Sequence, residues 1–548
     1  MSTPAVPPTP PIDHIEPVEP GQVNTFLGHP KGLFLLFCVE MWERFSYYGM
    51  RALLVLYLIQ STSTAEKTQY GIVNPGRGWE EPSANLLYGW YTGLVYLLPI
   101  IGGIIADKML GTHRSMVLGG ILIAMGNIAL AASGIGELSS NALGMSIFIF
   151  GLATIIIGTG FFKPCVSTMV GQLYRQGDPK RDGGFSIFYM GINLGAFFSA
   201  LVCGYLGQQV GWHWGFGAPA VGMVAGLIMY FIGRPFFLKG VGLPPSGKPN
   251  YIVPIILVSL VLSAVVGYAY HVGVFGKIGA GMAWLAAPDN RLIGLSVLIV
   301  GIVAVLGSMI GFTVSQAPED RGPTGTIFIF MMFNILFWLA FEQAGSTLNT
   351  FAERNTDLNI FGWKFPSTYF QSANAFFIVT MAPIFTWLWV WLARRNANPS
   401  QPVKIALGLL LVGIGYIPMV FAAKTAADGT LVSPLWLLSL YFIHTLGELC
   451  LSPTGLSYVT KAAPVRWASL LMGIWFISSF VANLGGGIVA SQVERVEKGE
   501  IKMPWADLLH LGGRADYFAI FVISSILAGV LMLVLTPIFK KMMRDVTD

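Results

Sequence analysis

Long apolar runs alternate with short polar connections along almost the whole of this chain. A bilayer core of about 30 Å needs about 20 apolar residues in an α-helix. Fourteen stretches meet that length. Six run over 32–60, 86–106, 115–135, 144–173, 185–207 and 215–237, and two more over 251–271 and 291–314. The last six run over 325–348, 369–393, 403–423, 434–460, 467–492 and 516–539. In lipid the backbone must satisfy its own hydrogen bonds, so these runs predict an all-α membrane protein with fourteen transmembrane helices. A Gly/Pro-rich segment, 238–250, and a polar one, 315–324, set the middle pair apart. The organisation predicted is a tail over 1–30, a six-helix bundle over 31–238, an inserted helix pair with linkers over 239–324, and a second six-helix bundle with a short tail over 325–548. Each bundle opens on a helix with an embedded glutamate, Glu43 and Glu342, as expected of a repeated unit rocking about a midplane site.

Composition agrees with this pattern. Of 548 residues, 54% are hydrophobic and only 11% charged, against about 25% charged in soluble domains. Mean hydropathy is +0.66. Basic residues then orient the chain. Lys108 and Arg114, then Arg175, Lys180 and Arg181, then Arg234, Lys239 and Lys248, and Arg321 follow spans 2, 4, 6 and 8. Arg394, Arg395 and Lys404 follow span 10, Lys461 and Arg466 follow span 12, and Lys540, Lys541 and Arg544 close the chain. Connections 136–143 and 208–214 have no Lys or Arg, so both termini are expected in the cytoplasm. Loop 493–515 departs from the rule, but Glu494, Glu497 and Glu500 accompany its basic residues. The net charge of +5 follows from inner-face loops and calls for no nucleic-acid partner. Residues Met1 to Gln22 are rich in proline and acids and lack a basic segment, so a disordered cytosolic tail is expected rather than a signal peptide. Cys38, Cys165, Cys203 and Cys450 lie in apolar stretches without metal-ligand or disulfide spacing.

The informative residues are ionisable groups inside the spans. With Glu40 at zero and about 100° per residue, Glu43, Arg44, Tyr47, Tyr48 and Arg51 fall near −60°, +40°, −20°, +80° and +20°. One face of the first span is therefore polar. Four central charges cost about 10–14 kcal/mol on insertion scales, and the apolar residues return about 5–11. Such a helix needs partners or a wet cavity, and intramembrane charges mark function by default. Lys163, Glu342 and Glu448 are the other embedded charges. Pro164, next to Lys163, loosens its helix and frees backbone carbonyls. Asn193, Asn374, Tyr96 and Trp475 are uncharged polar candidates, and taken alone each asparagine reads as an interhelical hydrogen bond. His444 lies in an apolar stretch and reads as a satisfied core histidine. No HExxH, GxSxG or P-loop occurs, so no enzyme is expected.

These residues resemble a known family. Glu40-Met-Trp-Glu43-Arg44-Phe45-Ser-Tyr47-Tyr48-Gly49 is similar to the ExxERFxYYG pattern of the proton-coupled oligopeptide transporters, the POT or PTR family of the major facilitator superfamily. Phe185 to Gly195 resembles that family's second signature, and Phe162-Lys163-Pro164 its motif in span 4. Gly447-Glu448 through Ser452-Pro453 to Ser457 resembles a later motif, and Asp107, Gly111 and Arg114 the loop motif of the superfamily.

The resemblance implies a major facilitator fold and import of di- and tripeptides coupled to protons, with no cofactor. It implies that Glu40, Glu43 and Arg44 take part in proton coupling. Arg44 and Lys163 would hold the peptide carboxylate and Glu448 would face its amino group, with Asn193, Asn374 and Ser452 beside them. Tyr48, Tyr96 and Trp475 would line side-chain pockets. Arg51 with Glu342, and Lys163 with Glu448, would gate. Two departures point to a bacterial plasma membrane: Gly89 stands where eukaryotic members resemble one another in having a proton-binding histidine, and loop 424–433 is short. Another solute such as nitrate, and coupling to sodium, remain alternatives at the level of sequence.

Overall fold

A computed structural model of the protein describes residues 25–544 apart from 176, 246–248 and 287. Of the expected tail, 1–24 lies outside the described residues, as does Lys248; Thr25–Phe26 (β1) and His29–Pro30 (β2) form a small antiparallel hairpin. The N-terminal helices are α1 (Lys31–Ile59), α2 (Glu81–Ile105), α3 (Gly111–Ser133), α4 (Ala142–Gln172), α5 (Lys180–Tyr205) and α6 (Trp212–Phe237). Next come α7 (Ile252–His271), α8 (Val274–Ala286) and α9 (Arg291–Val314). The C-terminal helices are α10 (Arg321–Phe341), α11 (Thr347–Asn355), α12 (Phe370–Arg394), α13 (Gln401–Ala426), α14 (Leu435–Ala462), α15 (Ala468–Ala490), α16 (Val493–Glu497), α17 (Ala506–Leu509) and α18 (Gly513–Met543). Two-residue strands Asn359–Ile360 (β3) and Trp363–Lys364 (β4) pair between α11 and α12. The architecture is all-α and multi-span: among the described residues, twelve helical runs are long and apolar enough to cross a membrane.

Local sequence accounts for the breaks. The chain leaves α2 through a π-helical turn, Ala106–Leu110, and enters α3 at Gly111, whose φ is +73°. A Cβ there would lie 2.6 Å from the Leu243 carbonyl oxygen and from Pro244, so only glycine fits. Asn141 caps α4 by accepting from the Gly144 amide at 2.7 Å. The span expected to run unbroken over 325–348 does not: α10 stops at Phe341, Glu342–Gly345 form a 3-10 turn, and α11 continues. The connection 493–515 holds two short helices rather than a plain loop.

The buried apolar side chains divide along the chain. One cluster draws only on residues between Ile327 and Met543, and two others only on residues between Leu33 and Val241. Within the N-terminal half α3 packs on α4 and α1 on α5 and α6; within the C-terminal half α13 packs on α14 and α18. Across the divide α2 meets α15 and α5 meets α12. Outside these groups lie α7, which packs on α4, and α9, which packs on α8 and α10 and leaves most of its length exposed.

Candidate functional site

The divide between the halves is lined by the polar face of α1. Glu40, Glu43, Arg44 and Arg51 are buried, at 5%, 1%, 4% and 6% exposure. Arg44 Nε lies 3.2 Å from Glu40 Oε1 and donates to Glu43 Oε2. Its guanidinium also sits over the Tyr47 ring, 5.4 Å from the centroid. This pairing is incomplete, because Glu43 Oε1 and Arg44 Nη2 are buried without a hydrogen-bond partner. Lys163 comes from α4, which runs unbroken through Pro164. Its Nζ lies 3.7 Å from the centroid of the Tyr96 ring on α2, within electrostatic range of Glu40, Glu43 and Arg44. Two carboxylates and two cations thus cluster in the N-terminal half.

The C-terminal half holds a second polar group. Asn374 Nδ2 on α12 donates to Glu448 Oε2 and to Thr445 Oγ1 on α14, both at 3.0 Å. Ser452, one turn further along α14, has a buried hydroxyl without a partner. Trp475 on α15 is 7% exposed and lies over Gly455, where a Cβ would come 2.6 Å from the indole. Lys163 and Glu448, paired by expectation, make no ion pair among the described residues. Asn193 donates to the Tyr189 carbonyl of its own helix at 3.0 Å. Tyr48 stands beside Arg51, whose guanidinium carbon is 5.8 Å from the ring centroid. His444 is 2% exposed and its Nε2 lies 3.2 Å from the Val412 carbonyl, a core placement.

Arg51 and Glu342 are in contact: Arg51 Nη2 lies 2.5 Å from Glu342 Oε2, and Arg51 Nε donates to the Tyr88 hydroxyl at 2.6 Å. This contact belongs to a wider closure at the end of the molecule bearing the loop between α1 and α2. Glu81, fully buried, accepts from Thr350 Oγ1 and Arg354 Nη1, each at 2.7 Å, and from Arg514 Nη2 at 3.3 Å. Arg514 Nε in turn donates to Glu497 at 2.5 Å. Asn349 donates to the Ala52 carbonyl at 2.9 Å, and Asn85 to the Ala490 carbonyl at 3.1 Å. Among the described residues no hydrogen bond or ion pair joins the halves at the opposite end.

Sequence reasoning missed Tyr88, Glu81, Arg354 and Arg514. The last three lie at helix ends, where charges ordinarily face water. The one available signal was loop 493–515, whose basic residues broke the orientation rule: Arg514 is there to meet buried Glu81, on the other half.

Comparison with known proteins adds the following. A family model described as "POT family" matches residues 113–505. A peptide transporter of Yersinia enterocolitica is 36% identical, covering 95% of this chain and 96% of its own. A di-/tripeptide transporter of Lactococcus lactis subsp. cremoris is 35% identical, covering 95% and 98%. Among solved structures, a mutant peptide transporter POT in complex with alafosfalin superposes with a TM-score of 0.74 at 34% identity, over 95% of this chain and 98% of that one. A POT family transporter in complex with 5-aminolevulinic acid gives 0.73 at 29% identity, over 94% and 98%.

Proposed function

Since the chain belongs to the POT family, we propose that it imports di- and tripeptides together with protons by alternating access between its two halves. The observation that carries this reading is the incompletely paired cluster of Glu40, Glu43, Arg44 and Lys163 in the N-terminal half, together with the Asn374–Glu448 pair in the C-terminal half. A short peptide is a zwitterion. A guanidinium and an ammonium on one wall recognise its carboxylate, and a carboxylate on the other recognises its amino group. Side chains between these fixed ends are tolerated, so the site accepts many sequences.

Electroneutrality supplies the coupling. The wall holds two carboxylates and two cations, so a peptide carboxylate brings one negative charge in excess. An uncompensated buried charge is strongly unfavourable. One proton on Glu43 restores the balance and releases Arg44 Nε for the peptide. Glu40, one turn away, is the alternative acceptor. Tyr48, Tyr96, Asn193, Ser452 and Trp475 surround the substrate in this reading. Arg51–Glu342 closes the outer side, and Lys163 with Glu448 closes the site across the halves once peptide has drawn them together.

The finer topology belongs to the same reading. The run Glu81–Ser133 turns at Gly111 and counts as two crossings, and α1, 29 residues long, spans despite its charges because they face the divide. With these two the crossings number fourteen, as two six-helix bundles with α7 and α9 inserted between them. The protein sits in a bacterial inner membrane with both termini cytoplasmic, so the closed end faces outward.

Labelled dialanine uptake into liposomes tests the proposal, with an inward proton gradient and with it collapsed. Gradient-dependent accumulation is expected. Glu43→Gln is expected to abolish accumulation while sparing counterflow; retained accumulation overturns the coupling role. No uptake beside a working control transporter overturns the substrate, and nitrate and sodium gradients are the next arms.

A further inference from the structure

Far from the polar cluster, an apolar groove of about 740 Å³ opens between the hairpin β1–β2, the start of α1 and the second half of α6. Phe26 of the hairpin, Phe34 of α1 and Ala225, Ile228, Ile232 and Phe237 of α6 line it. Phe26 and Phe34 meet edge to face, with centroids 5.0 Å apart. The hairpin itself is held by Lys180 Nζ, which donates to the Gly28 carbonyl at 3.2 Å, and by His29 Nδ1, 2.8 Å from the Tyr174 hydroxyl. Lys31 is the one charged residue in the lining.

The walls select an apolar occupant. No lining side chain except Lys31 carries a hydrogen-bonding group, and a buried water needs two to four polar partners. Ala225, Ile228 and Ile232 are exposed and lie three or four residues apart, so they share one face of α6. From Ala225 to Phe237 the helix rises about 18 Å. One leaflet of a bilayer holds about 15 Å of hydrocarbon, half of a core of about 30 Å. The groove is therefore as long as a lipid tail is deep.

Charge selects the other end of the occupant. Lys31 is the first residue of α1, and the first turn of that helix has no acidic residue. Among the described residues Lys31 makes no hydrogen bond or ion pair. The end of α6 lies against the start of α1, where a Cβ on Gly32 would come 2.7 Å from the Phe237 carbonyl oxygen. Lys239, exposed just beyond α6, adds a second cation to this end.

We propose that the groove is a binding site for one anionic phospholipid of the inner leaflet, with an acyl chain along α6 and the headgroup phosphate at Lys31. Basic pockets beside spans on the cytoplasmic side recognise acidic headgroups in this way. A free phosphate satisfies only the lysine, and a neutral lipid satisfies only the walls; an anionic lipid satisfies both. Seated there, it joins the hairpin to α1 and α6. The choice of leaflet rests on the orientation proposed above, but the binding and its test do not.

Vesicles of phosphatidylglycerol and phosphatidylcholine in equal parts, with matched acyl chains, supply the probe. A photoreactive side chain in place of Ile228 reports what occupies the groove. One in place of Ile299, exposed on α9, reports the surrounding bilayer. At 228, phosphatidylglycerol adducts are expected to exceed phosphatidylcholine adducts by about fivefold, the effect of one lysine at a membrane surface; at 299 they should follow the composition of the vesicle. Lys31→Gln should abolish the preference at 228 and Lys31→Arg should keep it. Lys277→Gln, at an exposed lysine on α8, should leave it unchanged. Equal ratios at 228 and 299 in the parent mean surrounding lipid only and overturn the site, as does an equal loss from the Lys31→Gln and Lys277→Gln variants. Adducts at 228 to residues 1–24 of the same chain, or to a second copy, overturn it in favour of those occupants.

Discussion

Glycine at position 89 is where closure of the two halves is most sensitive to a single methyl group. On α2, a Cβ at Gly89 would lie 2.7 Å from the Gly487 Cα, 3.1 Å from the Asn483 carbonyl oxygen and 3.2 Å from the Gly487 nitrogen. All three are backbone atoms of α15, on the other half, so no rotamer relieves the overlap. Carbon atoms prefer about 3.5–4.0 Å, so the helices must separate by nearly 1 Å or lose contacts along this seam. Overpacking of that kind costs about 1–3 kcal/mol. The cost falls only on the state in which α2 and α15 touch. Gly89→Ala is therefore expected to raise the population with this end open by about 5- to 150-fold over the closed one. Gly473→Ala, also on α15, meets nothing within 4 Å and serves as the control. Distances between spin labels across the outer end, measured for both variants, decide the matter. A Gly89→Ala protein that folds and keeps the parent's distance distribution refutes the reasoning.

Other consequences follow from the same contacts. Glu81→Gln removes the anion shared by Arg354 and Arg514; because Arg354 is 48% exposed and Arg514 keeps Glu497, the closed state should lose about 1–3 kcal/mol rather than the full penalty of a broken buried pair. Cysteine labelling rates at the outer end measure it, and unchanged rates refute it. Lys163→Ala should weaken peptide binding by at least about tenfold, since a charge-assisted hydrogen bond contributes about 1.5–3 kcal/mol; binding titrations with dialanine check this, and an unchanged Kd counts against the carboxylate site. Arg77→Ala removes bonds to Tyr57, Ser133 and Leu138 that anchor the outer loop. Unfolding in detergent should occur several degrees lower, with the central site's affinity preserved.

How far the sequence reaches differs between the fold and the site. Hydrophobic run length determined the spans, because a lipid-facing backbone has so few ways to satisfy its hydrogen bonds. Helical periodicity put Glu40, Glu43, Arg44 and Arg51 on one face of α1, and the cost of exposing them to lipid required a partner surface. A local pattern could therefore foresee the Arg44 ion pairs with Glu40 and Glu43, one turn or less away. The Arg51–Glu342 contact needed the family resemblance, since nothing local relates residues so far apart.

Tertiary structure alone decided the rest. Glu81, Glu353, Arg354 and Arg514 sit at helix ends, where charge is the ordinary composition of a water-facing loop. The burial of Glu81 and Arg514 comes from the approach of the two halves. The break of α10 at Glu342, which turns α11 across the outer end, has no proline or glycine at its start to announce it. Lys163 and Glu448 are each legible as costly intramembrane charges, yet that no ion pair joins them among the described residues is visible only in the tertiary structure. A sequence fixes which groups must leave lipid; which of them meet depends on how two separately packed cores lie against each other, and that balance is held by a few contacts such as Gly89 on Gly487.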